Sequence, residues 1–321
     1  MNHKTKKIVI MLTIIILFLL ISSMVFGTKI INPFTANLSE TDYQIIYNLR
    51  LPRTLAALFS GMTLAASGLL IQTSMRNSLA DSSILGFQSG ATLVAMFIML
   101  AMPSLYSFLP LFAFLGGLVV YAIIYTIAIR NESALFLVVA GIAISSIIRS
   151  FVNLLSQMFA EDLDMTIAWL NGSLNTVNRQ DMLLIVLYSV ILLLITMKIA
   201  PKLDILLMDD DYLINLGVKV SKVRFITTAL AILLTAVSVS FVGTIGFVGL
   251  LAPHISRKLV NQTSTNLMPT TILIGGVLVL GCDLLQRVLF PIYEIPVGTI
   301  MSLVGGIYLL YLLIRSNNVR V

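Results

Sequence analysis

The stretch IVIMLTIIILFLLISSMVF, residues 8–26, contains no charged residue. A helix of about 20 apolar residues, rising 1.5 Å per residue, spans the hydrocarbon core of a bilayer. The stretch therefore predicts a membrane-spanning helix. Its basic start and apolar core are also features of a signal peptide, but the apolar run is too long and no A-x-A-like site follows it. We interpret it as a retained first span.

Similar stretches recur along the chain and predict an all-α, polytopic membrane protein with about ten spans. Apolar residues make up 58% of the chain and charged residues 11%, whereas a soluble domain has about 25% charged residues. The stretches have the length of helices and lack the alternating pattern of barrel strands. The polar gaps are too short for a second domain, so residues 1–321 are predicted to form one transmembrane domain. The predicted spans are 8–27, 54–74, 87–103, 108–129, 134–158, 181–200, 224–243, 246–260, 268–286 and 297–314.

The basic residues are unevenly distributed between the two sides of the predicted membrane. If the N-terminus is cytoplasmic, the other side receives only Lys29, Arg50, Arg53, Arg179 and Arg287. This is the positive-inside bias, which predicts that both termini are cytoplasmic. It also explains the net charge of +6 without a nucleic-acid partner.

Two polar gaps contain amphipathic sequence. The outer gap, 29–52, includes TDYQIIYNLR, which can form a short interfacial helix. The cytoplasmic gap, 198–224, includes LDILLMDDDYLINLGVKV, which predicts one or two short helices on the membrane surface, with Gly217 as a left-handed stop. The alternative is a plain connecting loop.

The chain offers no chemistry of its own to power transport or catalysis. It contains no G-x-x-x-x-G-K-[ST] phosphate loop, no H-E-x-x-H and no G-x-S-x-G. The single cysteine, Cys282, excludes an internal disulfide and a cysteine metal cage. No acidic residue lies in the middle of a predicted span, since Asp283 can pair with Arg287 near the outer surface. A gradient-driven carrier is therefore disfavoured but stays open, because backbone carbonyls can bind sodium.

Two features within the predicted spans allow a structural or a functional interpretation. Arg149 is the one basic residue well inside a span, and it either snorkels to the outer surface or attracts an anionic substrate. In GTIGFVGLLAPH, Gly243, Gly246 and Gly249 recur at every third position and would line one helix face. They favour close helix packing, or a mobile segment hinged near Pro253.

RNSLADSSILGFQSGA, residues 76–91, follows the pattern N-P-L-A-x-P-x-x-L-G-x-x-x-G-A, with Ser78 and Ser82 in place of the prolines. In this pattern, and over nearly its whole length, the chain resembles the permease subunits of the iron–siderophore, haem and cobalamin ABC importers. Further segments that are similar to the family are LRLPRTLAALFSGMTLAASGLLIQ (49–72), AWLNGSL (168–174), GFVGLLAPHISRKL (246–259) and EIPVGTIMSLVGGIYLLYLL (294–313).

The resemblance implies an importer permease in a bacterial cell membrane. Its partners would be a second permease subunit, identical or related, two cytoplasmic ATPase subunits that bind ATP and Mg, and an external binding protein. No cofactor or metal is expected in this chain. The implied substrate is an iron chelate, first a ferric siderophore, with haem or cobalamin as the alternative.

The resemblance also implies roles for particular residues. Arg50, Arg53 and Arg287 match external arginines that pair with glutamates of the binding protein. Asn77 and Leu79 match the cytoplasmic gate. The residues that match the ATPase-coupling helices are Leu203, Leu206, Leu207, Asp209, Asp210, Asp211, Leu213, Leu216 and Gly217.

Overall fold

The computed structural model describes residues 2–35, 38–82, 86–128, 134–159, 168–208, 210–291, 293 and 295–316, and none of these lies in a β-strand. The first half of the chain forms α1 (His3–Val25), α2 (Glu40–Gln44), α3 (Leu51–Ser74), α4 (Phe87–Ala101), α5 (Leu109–Ala128) and α6 (Ala134–Met158). The second half forms α7 (Arg179–Leu203), α8 (Asp210–Asn215), α9 (Val220–Val242), α10 (Val248–Leu259), α11 (Ser264–Leu289) and α12 (Val297–Ser316). A π-helix (Ile45–Arg50) leads into α3, and short 3₁₀ helices cover Pro103–Phe108 and Asp204–Leu207.

The predicted all-α membrane fold is confirmed. Among the described residues, six helical segments are long and apolar enough to cross a membrane. They are His3–Val25, Glu40–Ser74, Val139–Met158, Arg179–Leu207, Val220–Val242 and Ser264–Leu289. Three shorter apolar helices accompany them, namely Phe87–Ala101, Leu109–Ile124 and Val297–Tyr311. The number of ten spans stays a prediction.

The predicted span 246–260 differs most from its expected form. Its helix, α10, has only 12 residues, which gives a length of about 18 Å, well short of a hydrocarbon core of about 30 Å. The residues between Val242 and Val248 are not helical. This part of the chain is therefore a half-helix preceded by an unwound segment.

Helix α3 occupies the centre of the bundle and packs against α7, α9, α10 and α11. Two pairs of glycines bring its backbone close to its neighbours. A Cβ added to Gly61 would lie 2.2 Å from the carbonyl oxygen of Gly275 in α11. A Cβ added to Gly68 would lie 2.0 Å from the carbonyl oxygen of Gly249 in α10. Small residues thus permit the close backbone approach on which helix association in membranes depends.

Both amphipathic gaps contain helices, as the sequence predicts. In the outer gap, α2 and the π-helix run directly into α3, and the Ser39 side chain caps α2 by accepting a hydrogen bond from the Asp42 N–H at 3.1 Å. In the cytoplasmic gap, the 3₁₀ helix and α8 follow α7. Gly217 has φ +76° just after α8, so the predicted left-handed stop is confirmed.

Candidate functional site

A cavity of about 910 Å³ lies between α4, α6 and α12 and two non-helical segments. Most of its lining side chains are hydroxyls and amides. Those with polar side chains are Gln88, Ser89, Thr92, Ser145, Arg149, Asn153, Ser156, Gln157, Asn171, Thr244, Thr299 and Ser302. A cavity of this size between membrane helices, with many hydrogen-bonding groups in a wall whose surface is otherwise mainly apolar, is the kind of feature that marks a substrate pathway.

Helix α6 supplies the cavity with a polar stripe. Ser145, Arg149, Asn153 and Gln157 follow each other at intervals of four residues, and this spacing places side chains on one helix face. The opposite face is apolar and exposed, with Ile147, Phe151 and Leu154 each more than half exposed. The helix therefore separates a polar interior from a surface suited to lipid or to another protein.

Arg149 lies well within the span, as its sequence position indicates. It is about 22 Å along α6 from Ala134 and about 14 Å from Met158, at 1.5 Å per residue. A charge at such a depth costs about 3 kcal/mol on insertion scales unless it faces water or protein. The structure places Arg149 in the cavity wall, where its side chain is exposed. No carboxylate of the described residues forms a salt bridge with it.

The unwound segment between α9 and α10 forms another part of the wall, through Thr244 and Gly246. Irregular backbone at membrane depth is tolerated where it lines a cavity. Gly243 begins the segment with φ +71°, and a Cβ there would lie 1.7 Å from the carbonyl oxygen of Trp169. Phe247 ends it in the left-handed region, with φ 68°. Gly305 of α12 lets the Phe247 side chain lie against that helix.

This geometry corrects the expectation that three glycines line one helix face. Gly243 and Gly246 lie in the unwound segment, and a Cβ on Gly246 would meet no atom within 4 Å. Only Gly249 is helical, and it packs against Gly68 of α3. The three-residue spacing was misleading because the chain is not helical at Gly243 and Gly246. Pro253 lies inside α10, where the half-helix continues to Leu259.

The three outer arginines form an internal network in this chain. Arg53 donates from Nε to Asp283 Oδ1 at 2.7 Å and from Nη2 to Gln286 Oε1 at 2.8 Å, and it also contacts Asn175. Arg287 pairs with Asp283 Oδ2 at 2.7 Å, as the four-residue spacing predicts, and donates to the Ser23 carbonyl at 3.0 Å.

Arg50 is also turned inward. It is 6% exposed and donates to the carbonyl oxygens of Met24 and Val25 at 2.6 and 2.9 Å. Sequence reasoning placed these arginines on an accessible outer surface and found the Asp283–Arg287 pair, but it missed their other partners, which come from distant parts of the chain. The network joins the outer ends of α1, α3 and α11.

The segment 203–217, which is predicted to be cytoplasmic, divides into buried and exposed residues. Leu203, Leu206 and Leu213 are at most 1% exposed and belong to the core of the protein. Leu207 and Leu216 are 54% and 60% exposed, and the neighbouring Met208 and Tyr212 are 49% and 58% exposed. We call these four exposed residues the cytoplasmic apolar patch. Asp209 lies outside the described residues, while Asp210 and Asp211 begin α8.

The predicted gate loop between α3 and α4 is attached to this segment. Arg76, with φ 49°, donates from Nε to the Leu206 carbonyl at 2.8 Å and also contacts the Met208 carbonyl. Asn77 accepts a hydrogen bond from the Leu79 N–H at 2.9 Å, so this side chain shapes the loop without the family's prolines. Neither Asn77 nor Leu79 is among the residues that line the cavity.

Gln72, at the end of α3, links α3 to α10. Its Nε2 donates to the Gly249 carbonyl at 3.1 Å, and its Oε1 accepts from Arg257 Nη1 at 2.6 Å. The loop side of this junction is formed by Asp81, whose Oδ1 would lie 2.2 Å from a Cβ on Gly249. The gate loop, α3 and the half-helix therefore meet at Gly249.

Sequence reasoning missed most of the cavity lining. Gln88, Asn153, Gln157 and Thr299 are neutral polar residues that were not considered individually. The four-residue spacing on α6 was a readable signal, because polar side chains repeated along one face of a membrane helix indicate a polar interior. The contributions of α4 and α12 carry no comparable pattern.

The helical membrane fold and the polar cavity define a multi-pass transport permease. The FecCD transport family matches residues 8–315, and the chain belongs to this family. The chain is 33% identical over 331 residues to the probable haem-iron transport system permease protein IsdF of Staphylococcus aureus strain MSSA476, across 100% of this chain and 99% of that protein. IsdF of strain Newman matches to the same extent.

The solved structures that are similar to this chain include the following two. One belongs to a chain assigned to a metal-chelate type ABC transporter in an inward-facing conformation, with a TM-score of 0.85, 29% identity, and coverage of 97% of this chain and 99% of that chain. The other is PsaBC from Streptococcus pneumoniae in complex with Fab, with a TM-score of 0.60 and 16% identity over 84% of this chain and 93% of that chain. The second likeness concerns the fold alone.

Proposed function

We propose that this chain is the permease subunit of an ATP-driven ABC importer, and that its polar cavity is one half of the path of an iron chelate. The observation that carries the proposal is the exposed polar stripe of α6. Arg149, Asn153 and Gln157 are exposed in the single chain, although they lie within a membrane helix. Such a stripe is costly against lipid, so a second permease subunit, identical or related, would cover it and enclose a water-filled path.

The cytoplasmic apolar patch is the proposed binding site for the ATPase subunits. Four large apolar side chains stay exposed beside a segment whose other leucines are buried. ATP and Mg would bind to the partner, since the sequence contains no phosphate loop. The uneven distribution of basic residues between the two predicted sides of the membrane supports a cytoplasmic location for this segment and for both termini.

The bonds of Arg76 suggest how the ATPase drives the gate. They tie the patch to the loop that carries Asn77 and Leu79, and this loop in turn meets α10 at Gly249. A movement of the patch would reach both the loop and the half-helix that follows the unwound cavity wall. Alternating access then follows from two arrangements of this linkage that ATP binding populates differently.

The outer arginines have a smaller part in binding-protein docking than the resemblance implies. Their guanidinium groups already bind Asp283, Gln286 and backbone carbonyls of α1. Docking by an external binding protein remains part of the proposal. Arg53, with 17% of its side chain exposed, is the candidate among the three for a direct contact.

Haem is the first candidate substrate, because the similarity to IsdF extends over the whole chain. A ferric siderophore is the second candidate. The hydroxyl and amide groups of the wall can hydrogen-bond its polar groups, although most of the exposed wall surface is apolar. Both are iron chelates, and a gradient-driven carrier is the more distant alternative.

The test is uptake by the purified complex of this permease with its ATPase and binding protein in liposomes. We expect accumulation of radiolabelled haem or of a labelled ferric siderophore that needs internal ATP and is blocked by vanadate. Uptake that is insensitive to vanadate and follows an ion gradient would contradict the proposal. The ratio of haem to siderophore uptake decides between the two substrates.

A further inference from the structure

We propose that Arg149 determines substrate specificity by binding a carboxylate of the chelate as it passes through the cavity. The inference rests on the proposed function and adds the chemical class of the substrate, an anionic chelate with free carboxylates. For haem, these are its two propionates.

The first argument is the isolation of the charge. Arg149 is the one charged residue among those that line the cavity in the described part of the chain. The residues around it are neutral hydrogen-bonding groups, including Ser145 and Asn153 one turn away on either side. Neutral groups can solvate a guanidinium, but they cannot neutralise it.

The second argument is that no carboxylate of the described residues forms a salt bridge with Arg149. Among the described residues, the carboxylates with assigned partners are committed elsewhere. Asp283 pairs with Arg53 and Arg287, Asp42 pairs with Lys29, and Asp204 accepts a hydrogen bond from the Ser264 N–H at 2.8 Å. Arg149 forms no salt bridge with the described residues, so its positive charge can attract an anionic ligand in the cavity.

The third argument is geometry. A guanidinium presents a planar set of donors that matches both oxygens of a carboxylate. Asn153 and Gln157 continue the same face of α6 and can donate side-chain amide hydrogens to a second carboxylate or a carbonyl of the same molecule. A chelate with two carboxylates would thus find one charged and two neutral donors in line along the helix.

The experiment compares chelates that differ only in their carboxylates. Haem and haem dimethyl ester are presented to complexes that carry the original permease, Arg149→Gln, Arg149→Lys or Ser150→Ala. Ser150 is the matched control, since it neighbours Arg149 but donates to the Ser146 carbonyl at 3.1 Å instead of lining the cavity. For each compound, uptake by the variant is divided by uptake by the original permease. Any preference of the binding protein for one compound affects both values equally and therefore drops out of the ratio.

We expect Arg149→Gln to lower haem uptake about tenfold, as befits the loss of a charge-assisted hydrogen bond, and to leave uptake of the ester unchanged. Arg149→Lys keeps the charge and should retain several times more haem uptake than the glutamine variant. Ser150→Ala should transport both compounds normally. An equal loss for haem and its ester, or no loss for either, would overturn the role of Arg149.

Two further experiments distinguish a failure of this inference from a failure of the proposed function. If the original complex transports no haem, the haem pair is replaced by two other chelates. These are ferric citrate, which has free carboxylates, and a ferric trihydroxamate, which has none, and the same uptake ratios are expected. If it transports none of these chelates, the proposed function fails and the inference fails with it. If Arg149→Gln does not assemble, Arg149→Lys decides, with a loss expected for the carboxylate-bearing chelate alone.

Discussion

Helices α3 and α6 have nearly the same length, 24 and 25 residues, yet they occupy opposite environments. In the most apolar stretch of Glu40–Ser74, the segment that contains α3, 83% of the residues are buried. In the most apolar stretch of Val139–Met158, which belongs to α6, only 22% are buried. Helix α3 is held by glycine contacts and by Arg53 at its outer end. Helix α6 faces the cavity with a polar stripe and leaves an apolar face exposed.

This difference in burial predicts which residues can be substituted without unfolding the protein. Substitutions around α3 disturb packed backbone and buried charge, so they should act on stability. Substitutions on the cavity face of α6 disturb few contacts within the chain, so they should act on transport. The predictions below test this division.

The largest expected effect is at the outer network. Asp283→Asn removes the one carboxylate between Arg53 and Arg287, and Asp283 is fully buried. Removal of one partner of a buried ion pair costs about 3–5 kcal/mol. We expect a clear drop in the thermal midpoint of the purified permease without any binding protein present.

Lys29→Gln is the control for this prediction, since the Lys29–Asp42 pair is exposed and such pairs contribute little. It should leave the thermal midpoint unchanged. If Asp283→Asn and the original protein have equal thermal midpoints but the variant binds the binding protein more weakly, the network serves docking and not stability.

The next effect separates the two kinds of leucine in the cytoplasmic segment. Leu213→Ala should destabilise the protein by about 2–5 kcal/mol, because Leu213 is buried in the core. Leu216→Ala, three residues later and 60% exposed, should leave the thermal midpoint unchanged and lower ATP-dependent uptake. If Leu216→Ala, Leu207→Ala and the double variant all show normal uptake, the patch is not part of the ATPase interface.

A smaller effect is expected at the contact between α3 and α11. A Cβ at Gly275 would lie 2.2 Å from the Gly61 carbonyl oxygen and 2.3 Å from the Ala65 Cβ. Gly275→Ala must therefore push the helices apart, at a cost of about 1–3 kcal/mol. Gly281→Ala lies on the same helix, and its Cβ would meet no atom within 4 Å. An unchanged thermal midpoint for Gly275→Ala, or a fall no larger than that of Gly281→Ala, would contradict the importance of this contact.

The smallest effect on stability is expected on α6. Asn153→Ala should change the thermal midpoint little and reduce chelate uptake severalfold, because Asn153 lines the cavity. Leu154→Ala, its neighbour on the exposed apolar face, should preserve uptake. If only Leu154→Ala loses uptake, the functional surface of α6 is its exposed apolar face and not the face that lines the cavity.

The sequence predicted the regular parts of this fold and missed the irregular ones. Long apolar runs revealed the membrane helices, because length and hydropathy are local properties of the chain. The predicted spans 224–243 and 246–260 left only two residues between them, whereas the unwound segment extends from Gly243 to Phe247, where the chain contacts Trp169 and α12, both distant in sequence. For the same reason, sequence spacing found the Asp283–Arg287 pair but not the contacts of Arg53 with α11 and Asn175.

The candidate site was predictable at Arg149, where a charge inside a span stands out, and in the four-residue spacing of polar residues on α6. The other lining residues are serines, threonines, asparagines and glutamines, which occur throughout membrane helices and signal a site only once folding brings them together. The leucines at 203–216 show the same limit, since nothing local distinguishes buried Leu213 from exposed Leu216.

The central claim is that the polar face of α6 lines a water-filled substrate path. In a Cys282→Ala background, which removes the single cysteine, Asn153→Cys and Leu154→Cys can be compared for reaction with a membrane-impermeant, charged thiol reagent in the assembled complex. We predict rapid modification at position 153, slowed by the bound chelate and followed by loss of uptake, and little modification at position 154. Rapid modification at 154 with none at 153, or full uptake after modification at 153, would contradict the claim.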